Sequence, residues 1–310
     1  HPHIGLRLTS QLQRFEQQDG AVLRHFRQHA GAVQLPDALQ GVVTAVLGLD
    51  DQAKAAPHFR LGPPLGPAFR PARASAQSFT PLQLAQLYGF PPGDGKGQCI
   101  GLIELGGGYL ASDLAAYFAQ LGVPAPQVVA VSVDGAQPDA GGDPNGPDGE
   151  VTLDIEIAGA LAPAATLAVY FAPNSEAGFA DAISQALHDK THQPSVLSIS
   201  WGAPEARWSA QALGALDDAL QTAVALGVTV CAAAGDSGSG DGVGDGASHV
   251  DFPASSAHAL GCGGTRLTAT AGRIALETVW NDAGGGISAS MPLPPWQRGL
   301  AVHGGGKTQA

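Results

Sequence analysis

Residues 150–171 read EVTLDIEIAGALAPAATLAVYF, in which a helical pattern over Val151–Leu161 leads into an apolar strand over Thr166–Phe171. The same alternation continues on both sides. It predicts further strands at Gln98–Glu104, Val128–Val133, Val196–Ser200, Val228–Ala233 and Ala259–Cys262, and further helices at Ala111–Leu121, Ala177–His188 and Ser209–Leu226. Strands and helices alternating at these lengths predict an α/β fold, a doubly wound and mainly parallel sheet with helices on both faces. In such sheets the functional residues lie in the loops that follow the strands.

The N-terminal 60 residues have a different pattern. They predict a helix over Gln11–Ala30, an extended segment over Gly31–Leu35 and a second helix over Pro36–Val42. Residues 61–78, LGPPLGPAFRPARASAQS, contain four prolines and no apolar periodicity, which is typical of an exposed linker. We therefore expect a domain boundary here, at a place that a protease can reach.

Composition and charge exclude several functions. The 310 residues carry a net charge of −12, with 44% hydrophobic and 14% charged residues. Residues 1–72 have seven Lys and Arg against five Asp and Glu, whereas the remainder has eight against 22. Such an acidic surface repels nucleic acid, and no apolar run reaches the roughly 18 residues that cross a bilayer. The cysteines, Cys99, Cys231 and Cys262, lie in apolar segments and predict buried thiols, not a metal cluster or a disulfide framework.

The first candidate site is the pair of acids Glu150 and Asp154. Their i, i+4 spacing places both carboxylates on one helix face, about 5–6 Å apart at Cβ. Two like charges so close share a proton and raise one apparent pKa, which suits general acid–base chemistry in acid. The alternative is a solvated acidic face. The rest of the helix is apolar nearly all round, which favours a function.

Two further candidates follow predicted strands. Asp236 lies in the turn Gly235-Asp236-Ser237-Gly238, where a protonated carboxyl could donate to an oxyanion, although simple turn chemistry also suits these residues. The resemblance of this turn to the nucleophile loop of trypsin-like proteases fails, because those enzymes are all-β barrels. Trp201 follows the strand VLSIS and could line a pocket, donate its indole N–H to a carboxylate, or simply fill the core.

Other motifs are weak. Gly106–Gly108 is only a triple glycine, and without GxGxxG or GxxxxGK[ST] a nucleotide-dependent enzyme is poorly supported. Asp241 and Asp245 lack the spacing of a calcium loop. His188 and His192 lie where a helix ends, which favours helix-end cations over a metal site.

Five segments together resemble the sedolisin (serine-carboxyl peptidase) family, in particular its kumamolisin-like bacterial members. They are DPNGPDGEVTLDIEIAGALAP (143–163), SISWGAPE (198–205), AAAGDSGSGDG (232–242), HVDFPASSAHALGCGGT (249–265) and ETVWND (277–282). The resemblance implies a subtilisin-like fold. It also implies that residues 1–72 are part of an α+β activation prodomain, with a linker to about residue 78, and that 78–310 are the N-terminal portion of the catalytic domain.

The same resemblance implies roles for particular residues. Glu150 matches the general base, Asp154 the acid that orients it, and Asp236 the acid of the oxyanion hole. Glu104 and Trp201 match the outer hydrogen-bonding partners of this carboxylate set. The assignment of Glu104 rests on the resemblance alone, since its local pattern shows only a charge at a strand end.

The chain also departs from the family pattern. The family's nucleophilic serine lies in a later Gly-Thr-Ser motif and is followed by a calcium site. Here Gly264-Thr265 is followed by Arg266, and Ser288 and Ser290 precede the expected position. We therefore expect no nucleophile and no calcium ligands in this chain, which would be truncated at both ends, with the C-terminal part of its sheet missing, and inactive on its own.

The resemblance thus implies a secreted, extracellular, acid-acting endopeptidase in zymogen form. Its partners would be protein or peptide substrates and its own prosegment, with no nucleic acid and no membrane. The charge difference between residues 1–72 and the rest further predicts that acid weakens the prosegment's attachment. The alternative is a non-catalytic, sedolisin-like relative that binds peptides.

Overall fold

A parallel six-stranded sheet forms the centre of the molecule. The computed structural model describes residues 7–8, 12–19, 22–29, 33–59, 78–142 and 144–299, so nearly all of the predicted linker lies outside the described residues. Its strands, in the order in which they lie across the sheet, are β13 (Leu260–Cys262), β11 (Thr229–Ala233), β9 (Val196–Ile199), β6 (Cys99–Glu104), β8 (Thr166–Phe171) and β7 (Gln127–Ser132). All their pairings are parallel, which confirms the predicted fold class.

Helices cover both faces of this sheet. The helices are α1 (Pro81–Leu87), α2 (Ala111–Leu121), α3 (Pro147–Leu161), α4 (Glu176–His188) and α5 (Ala210–Ala225). One apolar core lies between the sheet and α4 and α5, and a second lies under α2 and α3. Short polar side chains start α4 and α5: the hydroxyl of Ser175 accepts from Gly178 N at 3.1 Å, and that of Ser209 accepts from Ala212 N at 3.1 Å.

The N-terminal prediction was wrong. Instead of a helix over Gln11–Ala30, the chain forms an antiparallel hairpin of β2 (Leu12–Asp19) and β3 (Val22–His29). Phe15 pairs with Phe26 across it, with ring centroids 5.5 Å apart. The overlooked signal is Asp19-Gly20, a dipeptide typical of hairpin turns. The predicted helix over Pro36–Val42 is only a 3₁₀ turn at Asp37–Leu39.

Short strands complete the described chain. β1 (Arg7–Leu8) pairs with β4 (Val33–Gln34), and β14 (Thr265–Thr270) pairs with β15 (Arg273–Val279). More important for the site is a three-stranded antiparallel sheet of β5 (Ala56–Pro57), β10 (Trp201–Pro204) and β12 (Asp251–Phe252), with β10 in the middle. It joins the N-terminal part of the chain to the α/β part.

The prediction of three buried thiols holds for Cys99 only. Cys231 is half-buried and Cys262 is exposed, because β13 is an edge strand among the described residues. No helix in the described part of the chain has the length and apolar character that crossing a membrane requires.

Candidate active site

Glu104 is the innermost acid of the site. It is the last residue of β6 and is fully buried, and its Oε2 accepts a hydrogen bond of 2.8 Å from the indole Nε1 of Trp201. Burial, together with the charges of Asp154 and Glu150, raises the pKa of this carboxyl well above its usual range, against the opposing effect of the indole. Its other oxygen, Oε1, has no hydrogen-bond partner among the described residues. Glu104 is therefore an acid that holds its proton inside the protein.

Glu150 and Asp154 lie one turn apart at the start of α3. Glu150 is 1% exposed, and burial, followed by the charge of Asp154, raises its pKa to about 8. Burial also raises the pKa of Asp154 to about 6, although the Ser200 hydroxyl opposes this by donating to Asp154 Oδ1 at 2.9 Å. One oxygen of each acid, Glu150 Oε2 and Asp154 Oδ2, has no hydrogen-bond partner among the described residues. The pair can accept, hold and return a proton.

Asp236 lies in the loop after β11, half-buried, at the carboxyl edge of the sheet. Its charge acts on Glu150, whose pKa it raises, and on His58, whose pKa it also raises. Gly235, at φ +93°, makes the turn that brings Asp236 to this edge. The structure thus brings all five predicted residues, Glu104, Glu150, Asp154, Trp201 and Asp236, to one electrostatically connected site.

A stretch of the chain's own backbone passes next to these acids, close enough for His58 to lower the pKa of Glu150. β5 pairs antiparallel with β10, so that Pro57 lies opposite Trp201 and Ala56 opposite Gly202, and His58 N donates to Ser200 O at 2.9 Å. This is how an extended peptide adds itself to a sheet edge. On the other side, the Asn174 Oδ1 accepts from Lys54 N and Ala55 N, each at 3.0 Å, and its Nδ2 donates to Ala55 O at 2.8 Å. We call residues 54–59 the groove segment, and the space that it fills between β10 and Asn174 the groove.

An acidic pocket receives the side chain of His58. Its Nε2 lies 3.3 Å from Oδ2 of Asp251, and the two side chains are 8% and 0% exposed. Burial lowers the pKa of His58, but the pairing with Asp251 and the charges of Asp236 and Asp241 outweigh it, so that the pKa is raised. Burial raises the pKa of Asp251, and burial with the charge of Asp251 raises that of Asp241 to about 7. The pocket suits a positively charged side chain.

Sequence reasoning missed His58, Asp251 and Asn174. Asp251 lies in the quoted segment HVDFP, but nothing in the local pattern distinguishes it from other loop acids. Ser288, one of the two serines that precede the expected position of the nucleophile, donates its hydroxyl to Glu205 at 2.5 Å. Ser290 N donates to the same carboxylate at 3.2 Å, so this turn is organised around Glu205.

Comparisons with known proteins show which family the chain resembles. A family model described as the subtilase family matches residues 140–284. Kumamolisin from Bacillus sp. (strain MN-32) is 56% identical over 296 residues, which is 93% of this chain and 53% of that protein. Sedolisin from Pseudomonas sp. (strain 101) is 28% identical over 287 residues, 85% of this chain and 48% of that protein. The chain belongs to the sedolisin family.

A solved sedolisin structure shows the same architecture. Pseudomonas sedolisin, described as a serine-carboxyl proteinase complexed with two molecules of pseudo-iodotyrostatin, superimposes with a TM-score of 0.66 at 26% identity. The match covers 76% of this chain and 69% of that one. The chain spans about half the length of the curated relatives it matches. Family membership confirms the subtilisin-like fold, and the roles of the individual acids remain predictions.

Proposed function

We propose that this chain carries the carboxyl groups of a serine-carboxyl endopeptidase site but not its nucleophile. Its own groove segment holds the chain in zymogen form. The observation that supports this most is the groove itself. Three acids with raised pKa values, the buried Glu104 and Glu150 and the half-buried Asp154, lie next to a peptide that is paired to a sheet strand like a bound substrate. The nucleophile in this proposal is a serine that these 310 residues do not supply.

Each acid has a step in the proposed reaction. The serine oxygen attacks the peptide carbonyl carbon while Glu150 takes the hydroxyl proton, and Asp154 holds Glu150 in place. Asp236, protonated in acid, donates to the oxygen on which negative charge develops. Glu150 then gives its proton to the departing amine as the C–N bond breaks, and water releases the acyl group by the same steps. Glu104 and Trp201 hold the cluster from below.

The protonation state of Glu150 gives a reason why the proposed zymogen is inactive. With a pKa of about 8, Glu150 is protonated in acid and cannot act as a base. Burial is the main cause of this high value, and the groove segment lies over the site. When the segment leaves, water enters the groove and lowers the pKa, which prepares the base. The same segment that blocks substrate therefore also keeps the base protonated.

The enzyme acts outside the cell, on proteins or peptides, and the acidic pocket of Asp251 favours a basic or protonated side chain. The family resemblance also implies a calcium ion in the complete enzyme. In the described part of this chain, no group of three or more His, Cys, Asp and Glu residues could hold a metal ion. No step above depends on a metal.

The test compares two proteins. The 310-residue chain should release no fragments from an acid-denatured protein at about pH 4, whereas the product of the reading frame extended past residue 310 should do so. In the extended product, Glu150→Gln should lower kcat by at least about 10³-fold, and Asp218→Asn on the exposed face of α5 should leave it unchanged. If the 310-residue chain itself cleaved the protein, and Glu150→Gln abolished this cleavage, the proposal that the chain does not supply the nucleophile would be wrong. An extended frame without Gly-Thr-Ser would favour the non-catalytic peptide-binding relative.

A further inference from the structure

Two of the three cysteines meet at one side of the central sheet. Cys231 lies in β11 and Cys262 in the neighbouring strand β13, where Cys262 is paired with Ala233. Paired residues lie on the same face of a parallel sheet, and so do residues two apart along one strand. The register therefore places both thiols on one face, diagonally across the two strands.

This face is open to solvent in the described part of the chain. Val230 and Ala232, which alternate with Cys231 along β11, are buried in the core that contains α4 and α5. On the opposite face, Cys231 is half-buried, Leu260 is 60% exposed and Cys262 is exposed. An ion in solution can therefore reach the two thiols.

Hydrogen bonds turn the two thiols toward each other. The Cys262 Sγ donates to Leu260 O at 3.3 Å and accepts from Ala232 N in the neighbouring strand. The Cys231 thiol donates to the Cys262 sulfur, which is the main reason why the pKa of Cys262 is lowered to about 7. The same hydrogen bond, followed by burial, raises the pKa of Cys231. One sulfur of the pair is thus ready to ionise near neutral pH.

The register disfavours a direct disulfide between these cysteines. A step of two residues along the strands and one step between them places the Cα atoms about 8 Å apart, beyond the roughly 7 Å that a disulfide tolerates. A disulfide joins its sulfurs by one bond of about 2.0 Å, whereas a metal ion inserts two bonds of roughly 2.3 Å each. The diagonal spacing therefore suits two sulfurs with an ion between them.

The ligands select the class of ion. Thiolates prefer soft ions such as Cu(I), whereas a structural Zn²⁺ takes four protein ligands. Among the described residues, no group of three or more His, Cys, Asp and Glu side chains could hold a metal ion. A pair of sulfurs satisfies a soft monovalent ion, which binds two thiolates on opposite sides.

We propose that Cys231 and Cys262 form a two-sulfur site for a soft monovalent metal ion such as Cu(I). The ion replaces the protons of both thiols, so that one ion binds and two protons leave for the solvent when both thiols start protonated. The bridge ties the edge strand β13 to β11, which leads into the loop of Asp236. This inference does not depend on the proposed peptidase function, because it needs only the folded chain.

The experiment titrates the reduced 310-residue chain with Cu(I) in the absence of oxygen. The ion is supplied as its coloured bicinchoninate complex, so that its transfer to the protein is read as a loss of absorbance, and we expect the chain to take up one ion. Cys231→Ser and Cys262→Ser should each weaken binding at least about 100-fold, since each removes one of two ligands. Cys99→Ser, at the third and buried cysteine, is the matched control and should bind like the parent.

A second measurement needs no variant. One equivalent of Cu(I) should slow the alkylation of Cys262 by iodoacetamide at least about tenfold in the parent, because a coordinated sulfur is no longer a free thiolate. Equal binding by the parent and Cys231→Ser would show that a single thiol holds the ion, which would overturn the site. Binding that requires Cys99, or a parent that takes up no Cu(I) and is alkylated at an unchanged rate, would overturn it as well.

Discussion

Glu150 makes the stability of the chain depend on pH, because its folded-state pKa of about 8 lies far above the ordinary value of 4.5. Between these values the folded chain holds a proton that the unfolded chain releases. The unfolding free energy therefore falls as the pH rises through this range, by up to about 1.4 kcal/mol per pH unit. Glu150→Gln removes the titrating group. From pH 5 to pH 8, the parent should lose about 2–4 kcal/mol more than the variant, as measured by urea unfolding.

The control for this prediction is Asp218→Asn, an exposed position on α5. It should leave the pH dependence of the parent unchanged. If Glu150→Gln showed the same pH dependence as the parent, Glu150 would not hold the additional proton.

Of the individual site residues, the sequence could predict those that local spacing or a preceding strand singles out. The i, i+4 pair Glu150 and Asp154 is visible in any helical projection, and Trp201 and Asp236 follow predicted strands. Glu104 needed the family resemblance, because a single acid at a strand end has no local signature. His58 and Asp251 meet only when two distant segments pair with β10, so no local pattern could reveal their contact.

Among the elements, β5 is only two residues long, and its position depends on anchors outside it. Asn174 is one such anchor, because its side chain bonds Lys54 N, Ala55 N and Ala55 O. Asn174→Ala would leave two backbone N–H groups without their acceptor, at a cost of about 1–3 kcal/mol. We expect hydrogen exchange at Lys54 and Ala55 to accelerate about 10- to 100-fold.

Gln221→Ala, at an exposed position on α5, is the matched control for Asn174→Ala and should leave these exchange rates as they are in the parent. Unchanged exchange at Lys54 and Ala55 in Asn174→Ala would show that pairing with β10 alone holds the groove segment.

The predicted elements succeeded where apolar residues recur with a regular period. α2 and β8 have the predicted bounds, and the other strands of the central sheet differ by one or two residues at their ends. The prediction failed in the N-terminal hairpin, whose strands mix charged, amide and apolar residues over eight positions each. Such a mixture fits helical and alternating patterns about equally, and there the turn dipeptide is the better signal.

On the scale of the whole molecule, basic residues of the N-terminal part contact acids of the remainder, as the charge difference between residues 1–72 and the rest leads one to expect. Arg27 pairs with Asp51 within the N-terminal part, with 2.8 Å between Nε and Oδ2. Lys54 bridges the two parts, with Nζ 3.1 Å from Asp50 and 3.8 Å from Glu176. The most buried link is His58 with Asp251. Net charge alone could predict an attraction, but only the fold shows that its centre lies in the groove.

This buried link makes attachment of the groove segment sensitive to pH. In the attached state the pKa values of His58 and Asp251 are raised, and that of Asp241 is raised to about 7, so this state holds protons that the released segment and the open pocket give up. By linkage, attachment is therefore strongest in acid and weakens as the pH rises, in contrast to the expectation from net charge alone. The hydrogen-exchange protection factor of the His58 amide should fall at least about tenfold between pH 5 and pH 8. In His58→Gln, which carries no charge at either pH, the corresponding amide should change less than in the parent, and the Ala172 amide, bonded to Glu104 O inside the sheet, should remain protected in both proteins. Protection at residue 58 that is independent of pH in the parent would show that the groove segment is held by its backbone pairing and not by the ion pair.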